Sequence, residues 1–290
     1  MMSANLQTLR AFLDTGPSAL VTVADARGST PREKGAWMLV SSSAIFGTIG
    51  GGQLEFMAID KARQMLGLSP SSLRDEGEIR LTVPLGPEIG QCCGGRVEVS
   101  IKPADAEVRA GLITAAEAED ASRPRVHLFG GGHVGHALAS ALALLPVSVV
   151  VVETRADALV GMPEAVETVL TAVPEETVRA APPGSAFVVL THDHALDFLI
   201  VAEALARPDA AYVGMIGSKT KKATFRSWYL KSAGGTEARY ARLVSPIGGD
   251  AVNDKRPAVI AALAAAEVMT ALAKAPAARE PIGASGNSQT

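Results

Sequence analysis

The spacing of apolar and polar positions changes character partway along the chain. Over the first hundred residues, short strand-like runs dominate: SALVTVADA, AWMLV, AIFGTI, EIRLTVPL and GRVEVSIK. The last alternates Val97, Val99 and Ile101 with Arg96, Glu98 and Ser100, which predicts a strand with one face buried and the other in water. One stretch breaks the pattern. GGGQLEFMAIDKARQML opens on Gly50, Gly51 and Gly52 and continues at helical spacing, placing Leu54, Met57, Ala58 and Met65 on one face. RGSTPREKG and SSS read as turns.

PADAEVRAGLITAAEAEDASRP is rich in Ala and Glu and closes on Pro124, which predicts a helix and linker over residues 104–124. Beyond it, strands alternate with helices. RVHLF, VSVVVVE, AVETVLTA, AFVVLT, AYVGMIG and RLVSPIG are strand candidates. HVGHALASALALL, DFLIVAEALA, KTKKATFRSWYL and PAVIAALAAAEVMTAL are helix candidates. VSVVVVE is apolar throughout, as a parallel strand covered on both faces should be. Such alternation predicts a doubly wound parallel sheet. The expected fold class is therefore α/β: an N-terminal mixed α+β domain over residues 1–103, then a Rossmann-like domain over 125–274. The polar, Pro/Gly/Ser-rich end, 275–290, reads as a disordered tail.

Composition narrows the function classes. Of 290 residues, 48% are hydrophobic, enough for two sizeable cores, and the formal net charge is −3. A general nucleic-acid or membrane-surface binder would need a basic surplus. The start, MMSANLQTLRAFLDTG, lacks the pattern of a signal peptide, and the longest apolar stretches are Ala-rich and short of a bilayer span. The expectation is a cytoplasmic protein. In a reducing compartment, the only two cysteines, adjacent at Cys92 and Cys93 in GPEIGQCCGGRV, are poor candidates for a structural disulfide, and their spacing does not suit a zinc ribbon. They are small buried residues, or one is buried and one turned outward.

The chemistry-bearing motifs cluster after strands. VHLFGGGHVGHALA contains Gly130-x-Gly132-x-x-Gly135 between a strand and a helix, and the next strand ends in Glu153 beside Arg155. In that context the glycines permit a tight turn and close approach of a phosphate to the helix N-terminus, and Glu153 is placed to accept from a ribose or other hydroxyl pair. A glycine turn serving packing alone is the plain alternative. THDHALD follows AFVVL, IGSKTKK follows AYVGM, and SPIGGD follows RLV, so all these loops belong to one carboxyl edge. His192 and His194 flank Asp193 and suit either the polar lining of a crevice or metal ligation, although no third ligand has clear spacing. His133 lies near the crevice by position, and His136, one turn on, reads as packing or solvent-facing. Ser218 and Lys219, at a helix start, suit an anionic group. Lys222, Arg226 and Lys231 read equally well as a solvated basic face. In the first half, Gly50, Gly51 and Gly52 open a helix and precede Gln53, whose amide can meet a heterocycle edge, and Glu55. Arg32 and Lys34 sit in a turn and read as solvated charges.

These motifs, in this order, resemble the XdhC/CoxI family of molybdenum-cofactor insertion proteins. The matching stretches are ARGSTPREKGAWMLV, GTIGGGQLE, GQCCGGRVEV, HLFGGGHVGHALA, VVVVETR, THDH, GMIGSKTK and SPIG, covering residues 10–270. Within the family, the resemblance is closest to the XdhC members, accessory proteins of xanthine dehydrogenase. GDAVNDKRP, after SPIG, departs from the commoner family form. The resemblance implies a chaperone with no net turnover. It would bind the molybdenum cofactor, protect it while an oxo ligand is exchanged for sulfur, and insert it into xanthine dehydrogenase. A cysteine desulfurase would supply the sulfur, and the chain would be a homodimer. On this basis Cys92 or Cys93 is the expected metal-facing thiolate. The cofactor is expected against Gly50–Glu55, Cys92 and Cys93 on one side and the Rossmann carboxyl edge on the other, whose crevice alternatively holds a separate nucleotide. Two competing functions are kept. One is an NAD(P)-dependent oxidoreductase with His192 or His194 as proton shuttle; the other is a redox-sensing binding protein using the cysteine pair.

Overall fold

The computed structural model describes residues 4–67, 77–85 and 95–275. Cys92, Cys93 and the expected tail from residue 276 onward lie outside the described residues. The chain divides into two compact units, one ending at Ala121 and the other beginning at Ser122.

The first unit is a five-stranded antiparallel sheet. It comprises β1 (Ser18–Arg27), β2 (Trp37–Ser41), β3 (Ile45–Gly47), β4 (Ile79–Pro84) and β5 (Arg96–Pro103), in the order β3-β2-β1-β5-β4. Strand alternation separates two apolar layers. Val21, Val23, Met38, Val40, Val97, Val99 and Ile101 face helix α2 (Gly52–Leu66). Leu20 and Leu39 face the opposite way, onto α1 (Ala4–Asp14) and α3 (Ala106–Ser122). The sheet is thus covered on both faces.

One expected contact differs. Leu54, Ala58, Ala62 and Met65 are the buried residues of α2, and Met57 is exposed. At 3.6 residues per turn, Ala58, Met65 and Ala62 all fall within about 80° on one side of Leu54, while Met57 falls about 60° to the other side. The narrower arc wins, and Met57 stays at its rim.

The second unit is a six-stranded parallel sheet. Its strands are β6 (Arg125–Phe129), β7 (Ser148–Glu153), β8 (Glu167–Leu170), β9 (Ala186–Val189), β10 (Tyr212–Met215) and β11 (Leu243–Val244), ordered β11-β10-β9-β6-β7-β8. Helices α4 (His133–Leu142) and α9 (Pro257–Lys274) cover one face, contributing Leu138, Leu142, Ala261, Ala264 and Val268 to its core. The other face packs against α5 (Pro174–Ala180), α6 (His194–Ala206) and α7 (Lys219–Lys231), with Val178, Ile200 and Phe225 buried there. A short helix, α8 (Glu237–Tyr240), follows α7. This is the Rossmann-like doubly wound arrangement expected from the alternation. Strand order reverses between β6 and β9, so the loops leaving these two strands diverge and open a crevice at their carboxyl ends. Helix α9 is long and apolar enough to cross a membrane by composition, yet its apolar stripe is packed against α4 and the sheet.

Candidate functional site

The loop from β6 to α4 lines a crevice of about 240 Å³ together with residues at the ends of β7, β9 and β10. Its glycines serve different ends. A methyl on Gly135 would lie 2.1 Å from the Gly130 carbonyl oxygen, and one on Gly130 would lie 2.5 Å from that of Leu190. Both are demanded by packing. Gly132 is different: its backbone is extended (φ −74°, ψ −173°) and an added methyl would meet nothing within 4 Å. Neither conformation nor internal packing requires glycine there, and its bare surface faces the crevice.

The helix start beside it is open as well. Gly132 is the N-cap of α4 and provides no side-chain cap, so the first-turn N–H groups have no partner from the helix itself. Two later helices at the same sheet edge, α6 and α7, contrast with it. Asp193 caps α6 by accepting from the N–H groups of Ala195 and Leu196, and Ser218 caps α7 by accepting from that of Lys221. The α4 terminus therefore offers donors and the positive end of a helix dipole to an anion.

Glu153 holds the loop in this form. Its carboxylate accepts from the Gly131 N–H (2.8 Å), the Thr154 N–H (2.8 Å) and the Arg155 N–H (3.1 Å). Burial pushes the carboxyl upward in pKa, but the hydrogen bonds from Gly131, Thr154 and Arg155 outweigh it, and the group is held below the ordinary carboxylate range. Expected as an acceptor for a ligand hydroxyl, Glu153 has both oxygens engaged by protein donors. Arg155 lies against it at 3.5 Å with its own side chain partly exposed.

The first unit repeats this device. Gly50, Gly51 and Gly52 all take positive φ, and Glu55 reaches back to accept from Thr48 Oγ1 (2.6 Å), the Ile49 N–H (3.1 Å) and the Gly51 N–H (3.0 Å). Here too burial raises the carboxyl while the Thr48, Gly51 and Ile49 bonds bring it below its usual value. Gln53 is exposed on the first turn of α2.

Of the expected Rossmann residues, Gly130, Gly132, His133, Gly135, Glu153, Arg155 and His192 meet at the crevice. His194, Ser218 and Lys219 are exposed and do not line it. His136 is half-buried, with Nε2 3.1 Å from the Ala158 carbonyl. Among the described residues, no group of three or more His, Cys, Asp or Glu side chains is placed to hold a metal ion.

Motif reading missed the residues that tie the loops together. Lys221 is buried and pairs with the fully buried Asp197, which also accepts from the Thr191 N–H (3.0 Å) and hydroxyl (2.7 Å). Lys222 donates to the Ser245 carbonyl (2.9 Å), and Arg226, exposed on the same helix, pairs with Glu237 at the surface. The one available signal was Asp197 itself, an acid among the apolar positions of α6.

Residues 126–268 match the XdhC Rossmann domain, and residues 13–75 match the XdhC and CoxI family. Together these matches cover well over half the chain. The chain belongs to the XdhC and CoxI family. Among proteins similar to this family member is the uncharacterized protein YqeB of Escherichia coli (strain K12), 27% identical over 266 residues. That alignment takes in 90% of the present chain but 44% of YqeB, so the chain spans less than half the length of this relative. A crystal structure of a protein from Bacillus halodurans described as a xanthine dehydrogenase shares the fold, with a TM-score of 0.76 over 97% of this chain and 98% of that one at 18% identity.

Proposed function

We propose that this XdhC-family chain is an accessory protein of xanthine dehydrogenase maturation. It binds the molybdenum cofactor, protects it during sulfuration and passes it to the dehydrogenase, acting as a carrier without net turnover. Its partners are the molybdenum subunit of xanthine dehydrogenase and a cysteine desulfurase, and it works in the cytoplasm as a homodimer.

The observation that carries this reading is Gly132. In a chain of this family, a glycine with no conformational or packing duty sits beside an uncapped helix start, at the point where the strand order reverses. That combination suits the phosphate end of a cofactor, or a nucleotide phosphate. The first-turn amides of α4 would take the anionic oxygens, and Arg155, His133 and His192 border the same crevice. When bound, the cofactor supplies the molybdenum centre at which sulfur replaces oxygen. The chain's residues hold and orient it. Cys92 and Cys93 are the soft ligands proposed for that centre, and serine replacements, singly and together, test them through molybdenum retention.

The oxidoreductase reading has the Gly130–Gly135 loop in its favour. Against it stands Glu153, whose oxygens serve Gly131, Thr154 and Arg155 and not a ribose. Metal and pterin analysis after incubation with the cofactor, followed by transfer to apo-xanthine dehydrogenase, decides between them. Near-stoichiometric molybdenum with recovered dehydrogenase activity is expected. No retained molybdenum, with saturable binding of NADH, would replace the carrier with the oxidoreductase.

A further inference from the structure

The outer strand of a sheet presents unpaired backbone groups to any other strand, and natural sheets blunt such edges by shortness, charge or proline. Three of the four sheet edges in this chain are blunted so. β3 is three residues long and β11 two, while β4 carries the exposed Arg80 and closes on Pro84. β8 is the exception. It has no lysine, proline or register shift, Leu170 stands 57% exposed on it, and Val173 is exposed just beyond.

β8 ends the six-stranded sheet and pairs with β7 alone. The Thr171 N–H donates to the Glu153 carbonyl at the end of β7 (3.0 Å). Backbone groups along a strand point alternately to either side, so those of Glu167, Val169 and Thr171 serve β7 and those of Thr168 and Leu170 point outward. Among the described residues, no backbone hydrogen bond reaches Thr168 or Leu170 from the open side. Side chains alternate between the two faces as well. Val169 packs into the apolar layer beneath α5, whereas Thr168 and Leu170 are exposed on the opposite face. The one charge on the strand, Glu167, lies 3.8 Å from Arg125 of β6 and is answered from within the sheet.

We infer that two copies of this chain join through β8, antiparallel across a two-fold axis, so that their two six-stranded sheets become one. The axis stands at Val169, perpendicular to the sheet, and Thr168 of each copy pairs with Leu170 of the other. This register gives every outward backbone group of Thr168 and Leu170 a partner. It sets Val169 opposite its own counterpart and Glu167 opposite Thr171, so no like charges meet. It also covers Leu170. That burial favours association, since backbone bonds exchanged for water contribute little net. A second copy fits because the strand is its own complement in charge and in apolar surface. The inference supplies the surface for the homodimer of the carrier reading and uses no feature of the cofactor crevice.

Sedimentation equilibrium of the full chain at micromolar concentration tests it, and the parent is expected as a dimer. Thr168→Pro removes an outward N–H that β7 does not use, and Leu170→Lys sets a charge on the open edge. Each should weaken the dimer at least ~10-fold, and the two together should give a monomer with the parent's near-UV circular dichroism. Val169→Cys gives a reading that needs no weakened variant. In a non-hydrogen-bonded antiparallel pair the two Cα atoms stand about 4.5 Å apart, so the cysteines should link under mild oxidation and peptide mapping should find 169 joined to 169. A monomeric parent would overturn the inference and leave the edge to a strand from another protein. A dimer that both substitutions leave unchanged, with no 169–169 link, would overturn it equally and place the contact on another face. Molybdenum analysis of the parent separates the two proposals. A chain that is dimeric through β8 but retains no molybdenum removes the carrier reading alone. A monomeric chain that retains molybdenum removes the interface, and the homodimer with it, and leaves the carrier.

Discussion

Lys221 Nζ, on the first turn of α7, forms a buried ion pair with Asp197, whose side chain is fully buried on α6. Because Asp197 also holds the backbone and hydroxyl of Thr191, this pair fastens the loop after β9 to the helix after β10. Thr191 in turn lines the crevice beside His192.

Removing one partner strands the other charge in the interior. Lys221→Met is expected to lower unfolding free energy by about 3–5 kcal/mol, and the double replacement Asp197→Leu/Lys221→Met by clearly less. Urea unfolding of the two single variants and the pair measures the coupling.

The two extreme glycines of the Rossmann loop should separate folding from binding. Gly135→Ala forces a methyl to within 2.1 Å of a backbone oxygen and should destabilise the unit by several kcal/mol, on the order of ~3. Gly132→Ala meets open space and an ordinary backbone conformation, so its melting temperature should stay within about 2 °C of the parent. Its methyl intrudes where a phosphate would approach, and retention of molybdenum cofactor should fall at least ~10-fold, the equivalent of about 1.4 kcal/mol.

His127 is a separate matter of stability. It lies in β6 with 2% exposure, between Phe129 and Phe187, and neither ring nitrogen has a hydrogen-bond partner. Burial, reinforced by the charges of Arg125 and Arg207, lowers its pKa from 6.5 to about 4. The folded state therefore binds this proton less readily than the unfolded state. The contribution is complete above pH 6.5 and is lost as pH falls towards 4. Between pH 7 and pH 5 the loss should be about 2 kcal/mol, and His127→Phe should abolish that part of the pH dependence. Unfolding curves at both pH values read it directly.

Glu153 acts in the same direction but lower on the pH scale. Its folded pKa lies below the ordinary 4.5, so its stabilisation is complete above that value and drains away as pH falls through the folded pKa. Glu153→Gln replaces the acceptor oxygens with one carbonyl and an amide donor facing N–H groups. A loss of about 1–3 kcal/mol is expected at pH 7, with faster hydrogen exchange at Gly131 and Thr154. Thermal melts and amide exchange test both.

The two strand systems and the glycine loop were legible in residue order because they depend on local periodicity. VSVVVVE reports a strand buried on both sides, and RVEVSIK one with two distinct faces, whichever partners they meet. Met57 shows the limit: four residues at helical spacing define a stripe, but the width of the sheet beneath decides which of them it covers.

For the site, residue order determined that an acid ends β7 after a glycine turn, and that polar clusters follow β9, β10 and β11. Tertiary structure decided what those residues touch. Glu153 turns onto the loop instead of standing free, and Lys221, one basic residue among several, is the one drawn inside. A buried charge needs a partner, and its partner here stands 24 positions away along the chain. Local spacing carries no record of such a pairing, which exists only once the parallel strands have brought two successive loops to one edge.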